Sequence, residues 1–325
     1  MDAVLDHITT RTPQHPLAAE ARAWLADQPT LPLPGQGATL LRWRALAAMG
    51  AHDLCLAKVL EAHHDACAIL HELHAATPAR GRLGAVWAAE GPGASLAFDP
   101  QQGTLSGEKP WCSGAGWVDF ALVTVRDGGQ SRLYHADLRR TRLGGQGQAW
   151  HATGMGRIPS GNARFIDVPA YEVGAADAYL QRPGFWHGGA GIAACWFGAA
   201  AALADPLRHS TKAGEASIVA GLLGEVDMTL APCAALLREL ALQLDAQPER
   251  AHRTEVVRVR SVVERACVRT LDLVARGLGP GPMCLDQAHA RRWSDLTVFI
   301  RQSHADRDWQ QLGIHCHRQE LSWTL

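Results

Sequence analysis

The segment from Thr104 to Thr124 holds the residue types best suited to binding a flat polar molecule. It reads as a strand, a Lys-Pro step, a Trp-x-Ser sequence at Trp111 and Ser113, and a glycine-rich turn. Such an arrangement presents an aromatic face and a hydroxyl beside exposed backbone amides, which a flat heterocycle requires. An ordinary hairpin with a core tryptophan is the alternative interpretation of the same spacing.

A second candidate group lies near the end of the chain, where charged residues recur at helical spacing. Its members are Arg301, His304, Asp306, Arg307 and Asp308. His304 is the candidate proton handler, because an unperturbed histidine titrates at pH ~6.5 and can act as a base at neutral pH. In the alternative, these residues form a solvated ladder of ion pairs three and four positions apart.

Potential metal ligands are few. His315 and His317 flank Cys316, but no second cluster of ligands accompanies them, so we expect no metal site. Because they stand near the C-terminus, we interpret them as part of a frayed tail. The eight cysteines stand singly with no CxxC pair. This usage predicts a reducing compartment and neither a zinc ribbon nor a disulfide framework.

The elements that must position these residues fall into three blocks, which together predict an α+β fold. In the first block, apolar residues recur at helical spacing. The second block has short apolar runs separated by glycine-rich turns, which is typical of six to eight strands. A helical pattern returns in the third block. The predicted domains are an N-terminal helical domain (1–78), a central antiparallel β-sandwich or barrel domain (79–175) and a C-terminal four-helix bundle (176–325).

Three features refine the last block. No glycine occurs between Gly224 and Gly277, which predicts two long helices broken near Pro248. The Gly277–Gly281 segment lacks the G-x-G-x-x-G spacing of a dinucleotide fold and predicts a helix-to-helix turn. The Gly188–Ala204 stretch is apolar but short and rich in glycine and alanine, so it predicts a close-packed bundle helix and not a membrane span.

Length and charge exclude several classes of protein. The 325 residues carry 31 Lys+Arg and 32 Asp+Glu, for a net charge of −1, which excludes a basic groove for nucleic acid. A hydrophobic content of 47% is typical of a globular chain with two or three domains. Asp2 and Asp6 stand where a signal peptide carries positive charge, so we expect a cytoplasmic protein.

Two segments resemble signatures of the acyl-CoA dehydrogenase family. The Gly107–Ala115 segment is similar to a Gly-x-Lys-x-Trp/Phe-x-Thr/Ser-Gly/Asn-Gly/Ala stretch that lies against the isoalloxazine of FAD. The Gly154–Pro169 segment resembles the stretch that closes the same β domain. The order of helices, strands and helices also agrees, and the resemblance covers the chain from about Trp43 to Gly313.

The resemblance implies that FAD lies between the β domain and the C-terminal bundle. Trp111 and Ser113 would contact the flavin, with Cys112 contributing backbone between them. Ser303 matches a threonine on the flavin side of the family's C-terminal motif.

Other family motifs match less completely. The loop that begins at Trp87 takes the place of a family loop over the flavin, with Ala89 instead of threonine and with Glu90 retained. The family motif that reaches FAD phosphates of a neighbouring subunit has no clear counterpart in Arg208–Gly214. A further motif of the family, a glycine-rich turn, is matched only in part, by Arg276–Gly281.

The usual catalytic base is missing from both places where the family carries it. In family members a glutamate removes the proton beside a thioester carbonyl while hydride leaves for the flavin. Arg301 stands at that position here, and an arginine cannot act as the base. A second branch carries its glutamate near the place of His187–Gly189, where no carboxylate stands. Flavin monooxygenases of this fold carry histidine in the region of His304.

The resemblance therefore implies an FAD-dependent oxidoreductase that acts on an acyl thioester, such as an acyl-CoA, or a related acyl compound. Two alternatives stay open: a flavin-dependent monooxygenase or oxidase, and a catalytically silent binding or scaffold protein. We expect a homodimer or homotetramer, as in the family. Typical members are some tens of residues longer, so we also expect a shortened N-terminal helical domain.

Overall fold

The computed structural model describes residues 15–27, 30–91, 94–139, 143, 150–214 and 216–319. Three helices come first: α1 (Pro16–Asp27), α2 (Thr39–His52) and α3 (Leu54–Glu72). The strands are β1 (Gly84–Trp87), β2 (Ala97–Asp99), β3 (Thr104–Lys109), β4 (Phe120–Asp127), β5 (Gln130–Asp137) and β6 (Ala163–Glu172). The helices that follow are α4 (Ala178–Gln181), α5 (Pro183–Arg208), α6 (Ile218–Ala246), α7 (Arg253–Leu278), α8 (Gly281–Leu285), α9 (Gln287–Phe299) and α10 (Asp306–Gln319).

The described strands form a sheet of order β1-β4-β5-β6-β3-β2. Strand β6 joins its two halves, because it pairs with β3 up to Pro169 and with β5 from Ala170 to Glu172. Between Leu105 and Gly107 the register of β3 shifts, which marks a bulge. The six strands among the described residues match the lower end of the predicted six to eight.

One strand pair departs from the predicted antiparallel arrangement. Strand β1 runs parallel to β4, with Gly84 opposite Phe120. The chain leaves β1, forms β2 and β3 at the far edge, and then returns beside β1. Asp119 fixes this return, because the Leu83 N–H donates to its carboxylate at 2.6 Å and its own N–H donates to the Leu83 carbonyl at 2.7 Å. Apolar runs reveal strands but not the direction in which a strand re-enters the sheet.

The C-terminal bundle is built around α5, which packs against α2, α6 and α7. Gly198 on α5 faces the Ala47 carbonyl on α2 so closely that a Cβ would clash with it. The predicted pair of long helices is confirmed as α6 and α7, which are separated around Pro248. The predicted helix-to-helix turn is confirmed as well, because α7 ends at Leu278 and Gly279 follows with φ of +68°.

Helix α3 lies between the sheet and the bundle, where it contacts both β1 and α5. Asp53 caps its N-terminus, since its side chain accepts a hydrogen bond from the Leu56 N–H at 2.8 Å. Because α3 has neighbours on two sides, charged residues in its middle are enclosed by protein.

Among the described helices, α5 and α6 are long and apolar enough to cross a membrane by length and composition. The most apolar window of α5 is 67% buried inside the fold, which confirms the predicted bundle helix. The corresponding window of α6 is only 17% buried. Its outward face exposes Ile218, Met228 and Leu242.

Candidate functional site

A narrow cavity of about 10 Å³, which is room for about one water molecule, lies between α3 and the edge strand β1. Lys58 and Ala62 contribute to the α3 wall, and all four residues of β1 line the cavity as well. Ser113 and Trp117, from the turn after β3, complete much of the lining. Two residues that the sequence predicts to bind cofactor, Trp87 and Ser113, therefore meet at one cavity.

The turn after β3 is held by contacts that join the two sequence signatures. Ser113 Oγ lies 2.6 Å from Ser160 Oγ, and the Cys112 N–H donates to the Gly161 carbonyl at 2.9 Å. The Trp87 indole N–H donates to the Ser113 carbonyl at 3.0 Å. Residues from β1, from this turn and from the segment before β6 thus converge on Ser113.

Trp111 is the exposed residue of this turn. Its side chain is 58% exposed and its φ is +59°, a conformation that is uncommon for any residue other than glycine. Strained backbone of this kind concentrates at binding and catalytic sites. Cys112 is buried, and burial raises the pKa of its thiol to about 12, so the thiol stays protonated and is no nucleophile.

The predicted residues of the C-terminal segment are not among those that line the cavity. Arg301 donates to the carboxylate of Glu264 at 2.6 Å. Ser303 is buried, and its hydroxyl accepts a hydrogen bond from the Ala305 N–H at 3.3 Å. Phe299, which begins this segment, lies with its ring 5.8 Å from Lys58 Nζ and so links the segment to the cavity wall.

His304 lies at the surface. Its side chain is 75% exposed, and Nδ1 lies 3.9 Å from the Asp308 carboxylate, four residues further along. This is the contact that the solvated ladder predicts. A role for His304 in proton transfer stays a prediction.

A carboxylate does reach the place of the second family base, but from another helix. Asp65 of α3 lies against Gly188 of α5, and a Cβ on Gly188 would stand 2.6 Å from Asp65 Oδ1. That oxygen is buried and has no hydrogen-bond partner among the described atoms. Sequence reasoning missed Asp65, because no local signal tells which helix lies beside Gly188.

Sequence reasoning also missed Lys58 and Glu61. Lys58 Nζ lies 4.0 Å from Glu61 Oε2, and both side chains are largely buried. Burial raises the pKa of Glu61 to about 7, against the opposing effect of Lys58. The available signal was charge on a helix that is otherwise strongly apolar, since Lys58, Glu61 and Asp65 recur at spacings of three and four.

The donor set fits a flavin. An isoalloxazine ring is flat and aromatic, with nitrogen and oxygen acceptors along its edge, and it therefore suits an exposed indole beside hydroxyl and amide donors. Trp111 supplies the indole, while Ser113 and Ser160 supply the hydroxyls. Among the described residues, no three His, Cys, Asp or Glu side chains are grouped so that they could hold a metal ion.

Comparison with solved structures defines the fold. TdsC from Paenibacillus sp. A11-2, in complex with FMN and indole, is similar with a TM-score of 0.70 and 17% identity, over 91% of this chain and 94% of that chain. Butyryl-CoA dehydrogenase from Megasphaera elsdenii gives 0.72 and 16%, over 93% and 88%. PigA with FAD and proline gives 0.67 and 13%, over 97% and 99%.

These likenesses confirm the predicted acyl-CoA dehydrogenase fold, with N-terminal helices, a central β-sheet domain and a C-terminal helical domain. A scan of family models and a search of curated proteins found no match. A fold hosts many activities, so function has to be argued from the site.

Proposed function

We propose that this protein is a flavin-dependent oxidoreductase. The observation that carries the proposal is the convergence on Ser113, where β1 and both sequence signatures meet beside the cavity walled by α3. The complexes of TdsC with FMN and of PigA with FAD support a flavin as the cofactor.

Each residue of the Ser113 turn has a distinct part in holding the flavin. The exposed Trp111 ring offers a stacking face, and the Ser113 hydroxyl pairs with a polar atom at the flavin edge. Ser160 holds the Ser113 hydroxyl, and Trp87 holds the Ser113 carbonyl, so the turn is ordered before the flavin binds. A bound flavin supplies two-electron chemistry, by accepting hydride or by passing electrons to O2.

The finer proposal takes FAD as the cofactor and an acyl thioester, such as an acyl-CoA, or a related acyl compound as the substrate. The two sequence signatures and the likeness to butyryl-CoA dehydrogenase support it. Cys112 backbone and Ser303 complete the proposed FAD contacts. In this proposal His304 handles the proton, with Arg301 as a fixed cation beside it. The eight free cysteines fit a cytoplasmic location.

A second candidate function is a monooxygenase or oxidase that uses reduced flavin and O2. The observation that favours it is the ion pair of Arg301, which occupies the place of the dehydrogenase base and binds Glu264. A further structure of TdsC describes that protein as a dibenzothiophene monooxygenase. A catalytically silent binding protein is the third candidate, and Ala89 at a threonine position favours it.

We also propose that the chain forms a homodimer or homotetramer through α6. Apolar and small residues share its outward face at spacings of three, four and seven, with Glu225 and Glu239 in the two wider gaps: Ile218, Gly221, Met228, Pro232, Ala235 and Leu242. All are exposed in the single chain, and an apolar stripe at this spacing suits a partner helix.

Purified protein incubated with FAD or FMN tests the function directly. Flavin absorbance that stays with the protein after gel filtration supports an oxidoreductase, and its absence with both flavins leaves only the silent binding protein. Anaerobic bleaching of bound flavin by acyl-CoA esters supports the dehydrogenase. Bleaching only by an external reductase, followed by O2 consumption, supports the oxygenase.

A further inference from the structure

A larger cavity, of about 370 Å³, lies where the connection from α3 to β1 meets β5 and β6. The described residues that line it are different from those that line the cavity beside Ser113. Its volume is within the range of small-molecule sites, about 300 to 1,000 Å³. The polar and aromatic side chains of its lining are Thr77 and Arg82 of the connection, His135 and Asp137 of β5, and Tyr171 of β6.

Three stacked rings lead to this cavity. His135 lies between Phe120 of β4, with 5.0 Å between ring centroids and 6° between planes, and Tyr171, with 4.8 Å and 14°. Phe120 is fully buried, whereas Tyr171 lines the cavity and is 46% exposed. Tyr171 is therefore the outer ring, and a flat ligand placed on it would extend the stack.

His135 is the buried polar group of the cavity wall. Only 6% of the residue is exposed, and Nδ1 is enclosed without a hydrogen-bond partner, although the carbonyl of the same residue acts on its charge. Burial lowers the pKa of His135, so the ring is neutral at pH 7. Among the described residues Nε2 has no partner either, which leaves this nitrogen for a ligand.

The charges around the cavity favour an anion. The Asp137 carboxylate accepts hydrogen bonds from the Arg139 guanidinium at 2.6 and 3.1 Å and lies 3.4 Å from one terminal nitrogen of Arg82. Asp119, which also acts on Arg139, is paired with Arg22 at 2.7 Å. One carboxylate between two guanidinium groups leaves one positive charge.

Arg82 is the cation with donors to spare. Among the described contacts its side chain uses one terminal nitrogen, and its Nε is enclosed without a partner. A guanidinium group carries five N–H donors, and a donor without a partner in a protein interior costs free energy. The group that completes this cluster is thus a negatively charged acceptor, and a carboxylate matches the planar guanidinium.

We infer that this cavity binds a planar aromatic carboxylate, with its ring on Tyr171 and its carboxylate accepting hydrogen bonds from Arg82 and from Nε2–H of His135. An inorganic anion would leave the Tyr171 ring uncovered, and a neutral aromatic molecule would leave Arg82 without an acceptor. Pro78 and Pro169 supply apolar lining for the ring. The inference goes beyond the proposed flavin function and does not depend on it.

The probe is 2-naphthoate, and 2-naphthamide, which has the same ring and no charge, is its matched control ligand. Calorimetric titration of the full chain should show one naphthoate per chain with a dissociation constant below ~1 mM. The amide should bind at least about tenfold more weakly, because it cannot form the charge-assisted hydrogen bonds. Failure of the wild type to bind naphthoate, or equal binding of acid and amide, overturns the inference.

Four variants locate the bound acid. Arg82→Met should remove the preference for the acid, and Arg82→Lys, which keeps the charge, should retain it even if the methionine variant fails to fold. Tyr171→Leu should weaken both ligands about fivefold with the preference intact. Arg164→Met removes an exposed cation near the start of β6 and should bind both ligands as the wild type does.

Titrations repeated with excess FMN separate this cavity from the proposed flavin site. The dissociation constant of naphthoate should stay the same, because the two sites share no described lining residue. Displacement of naphthoate by FMN, or wild-type binding in both Arg82→Met and Tyr171→Leu, overturns this inference and leaves the proposed function standing. Failure to retain flavin overturns the proposed function and leaves the naphthoate titrations valid.

Discussion

The ammonium group of Lys109 lies 2.9 Å from Glu90 Oε1, and this ion pair ties the segment after β1 to the end of β3. Lys109 is 1% exposed and also donates to the carbonyl and hydroxyl oxygens of Thr124, at 2.8 and 2.9 Å. Burial lowers the pKa of Lys109, and the hydrogen bond and charge of Glu90 oppose that effect. The retained Glu90 thus holds in place the strand end that leads directly to Trp111.

Removing this cation should destabilise the fold. Lys109→Met leaves two Thr124 oxygens and the Glu90 carboxylate without their shared donor, which we expect to lower the free energy of unfolding by about 3 kcal/mol. Denaturant unfolding followed by tryptophan fluorescence measures the change. The control is Arg126→Met, which removes an exposed cation from β4, the strand that carries Thr124, and should stay within about 0.5 kcal/mol of wild type. A loss below about 1 kcal/mol in Lys109→Met would contradict this structural role.

The elements themselves could largely be predicted from the sequence, because glycine and proline mark where helices stop. The glycine-free stretch around Pro248 and the turn at Gly279 follow from that rule. The parallel β1 could not be predicted, since its neighbour β4 is set by long-range bonds between Asp119 and Leu83. The predicted domain boundaries at residues 78 and 175 stay predictions.

Only some residues of the candidate site could be predicted from the sequence. Trp87 and Ser113 belong to local signatures, and the structure places both at one cavity. Lys58 and Asp65 carry no motif, because their position depends on which face of α3 meets β1 and α5. Periodicity shows that a helix has two faces but not which neighbour each face meets.

Trp111 provides a direct test of flavin binding. We expect Trp111→Ala to weaken the binding of FAD or FMN about fivefold, because an exposed indole that stacks on an aromatic ring contributes about 1 kcal/mol. Fluorescence quenching of the flavin during titration measures the dissociation constant. Trp309→Ala, at a partly exposed tryptophan of α10, serves as the control and should leave that constant unchanged. Equal weakening by both variants would count against a specific contact at Trp111.

Substitutions at Arg301 and His304 should differ in their effect on stability. Arg301→Ala leaves Glu264 buried without its ion-pair partner, so we expect a loss of about 2 kcal/mol, reduced from a fully buried pair because Arg301 is half exposed. His304→Ala removes an exposed side chain and should change stability by less than about 0.5 kcal/mol. Thermal unfolding of both variants checks this difference. Turnover of the stable His304 variant then decides its proposed role, because undiminished turnover removes His304 from the chemistry.

The exposed face of α6 predicts how the chain assembles. Met228→Glu and Leu242→Glu each place a charge on the apolar stripe, and together they should shift the protein from an oligomer to a monomer. Sedimentation velocity measures the mass of each species. Leu285→Glu introduces the same charge at a still more exposed apolar residue away from α6 and should leave the mass unchanged. A monomeric wild-type protein would contradict the proposed interface.

Glu61 makes stability depend on pH in a direction opposite to that of most carboxylates. Burial is the largest cause of its raised pKa of about 7, so the folded protein binds more protons than the unfolded chain between the ordinary carboxyl pKa and pH 7. The contribution of Glu61 is fully present below that ordinary pKa and is lost as the pH rises through 7. Between pH 4 and pH 8 we expect the wild type to lose about 3 kcal/mol from this group.

Glu61→Gln cannot ionise and should lack this loss. The difference between the free energies of unfolding of the variant and of wild type should therefore rise by about the same 3 kcal/mol between pH 4 and pH 8. Loss of the ion pair with Lys58 shifts the variant by a constant amount and does not change this rise. Urea unfolding at several pH values gives both curves. The matched control is Glu108→Gln, which neutralises an exposed carboxylate on β3 and should follow the wild-type curve. Parallel curves for wild type and Glu61→Gln would contradict the raised pKa, because Glu61 would then titrate alike in the folded and the unfolded protein.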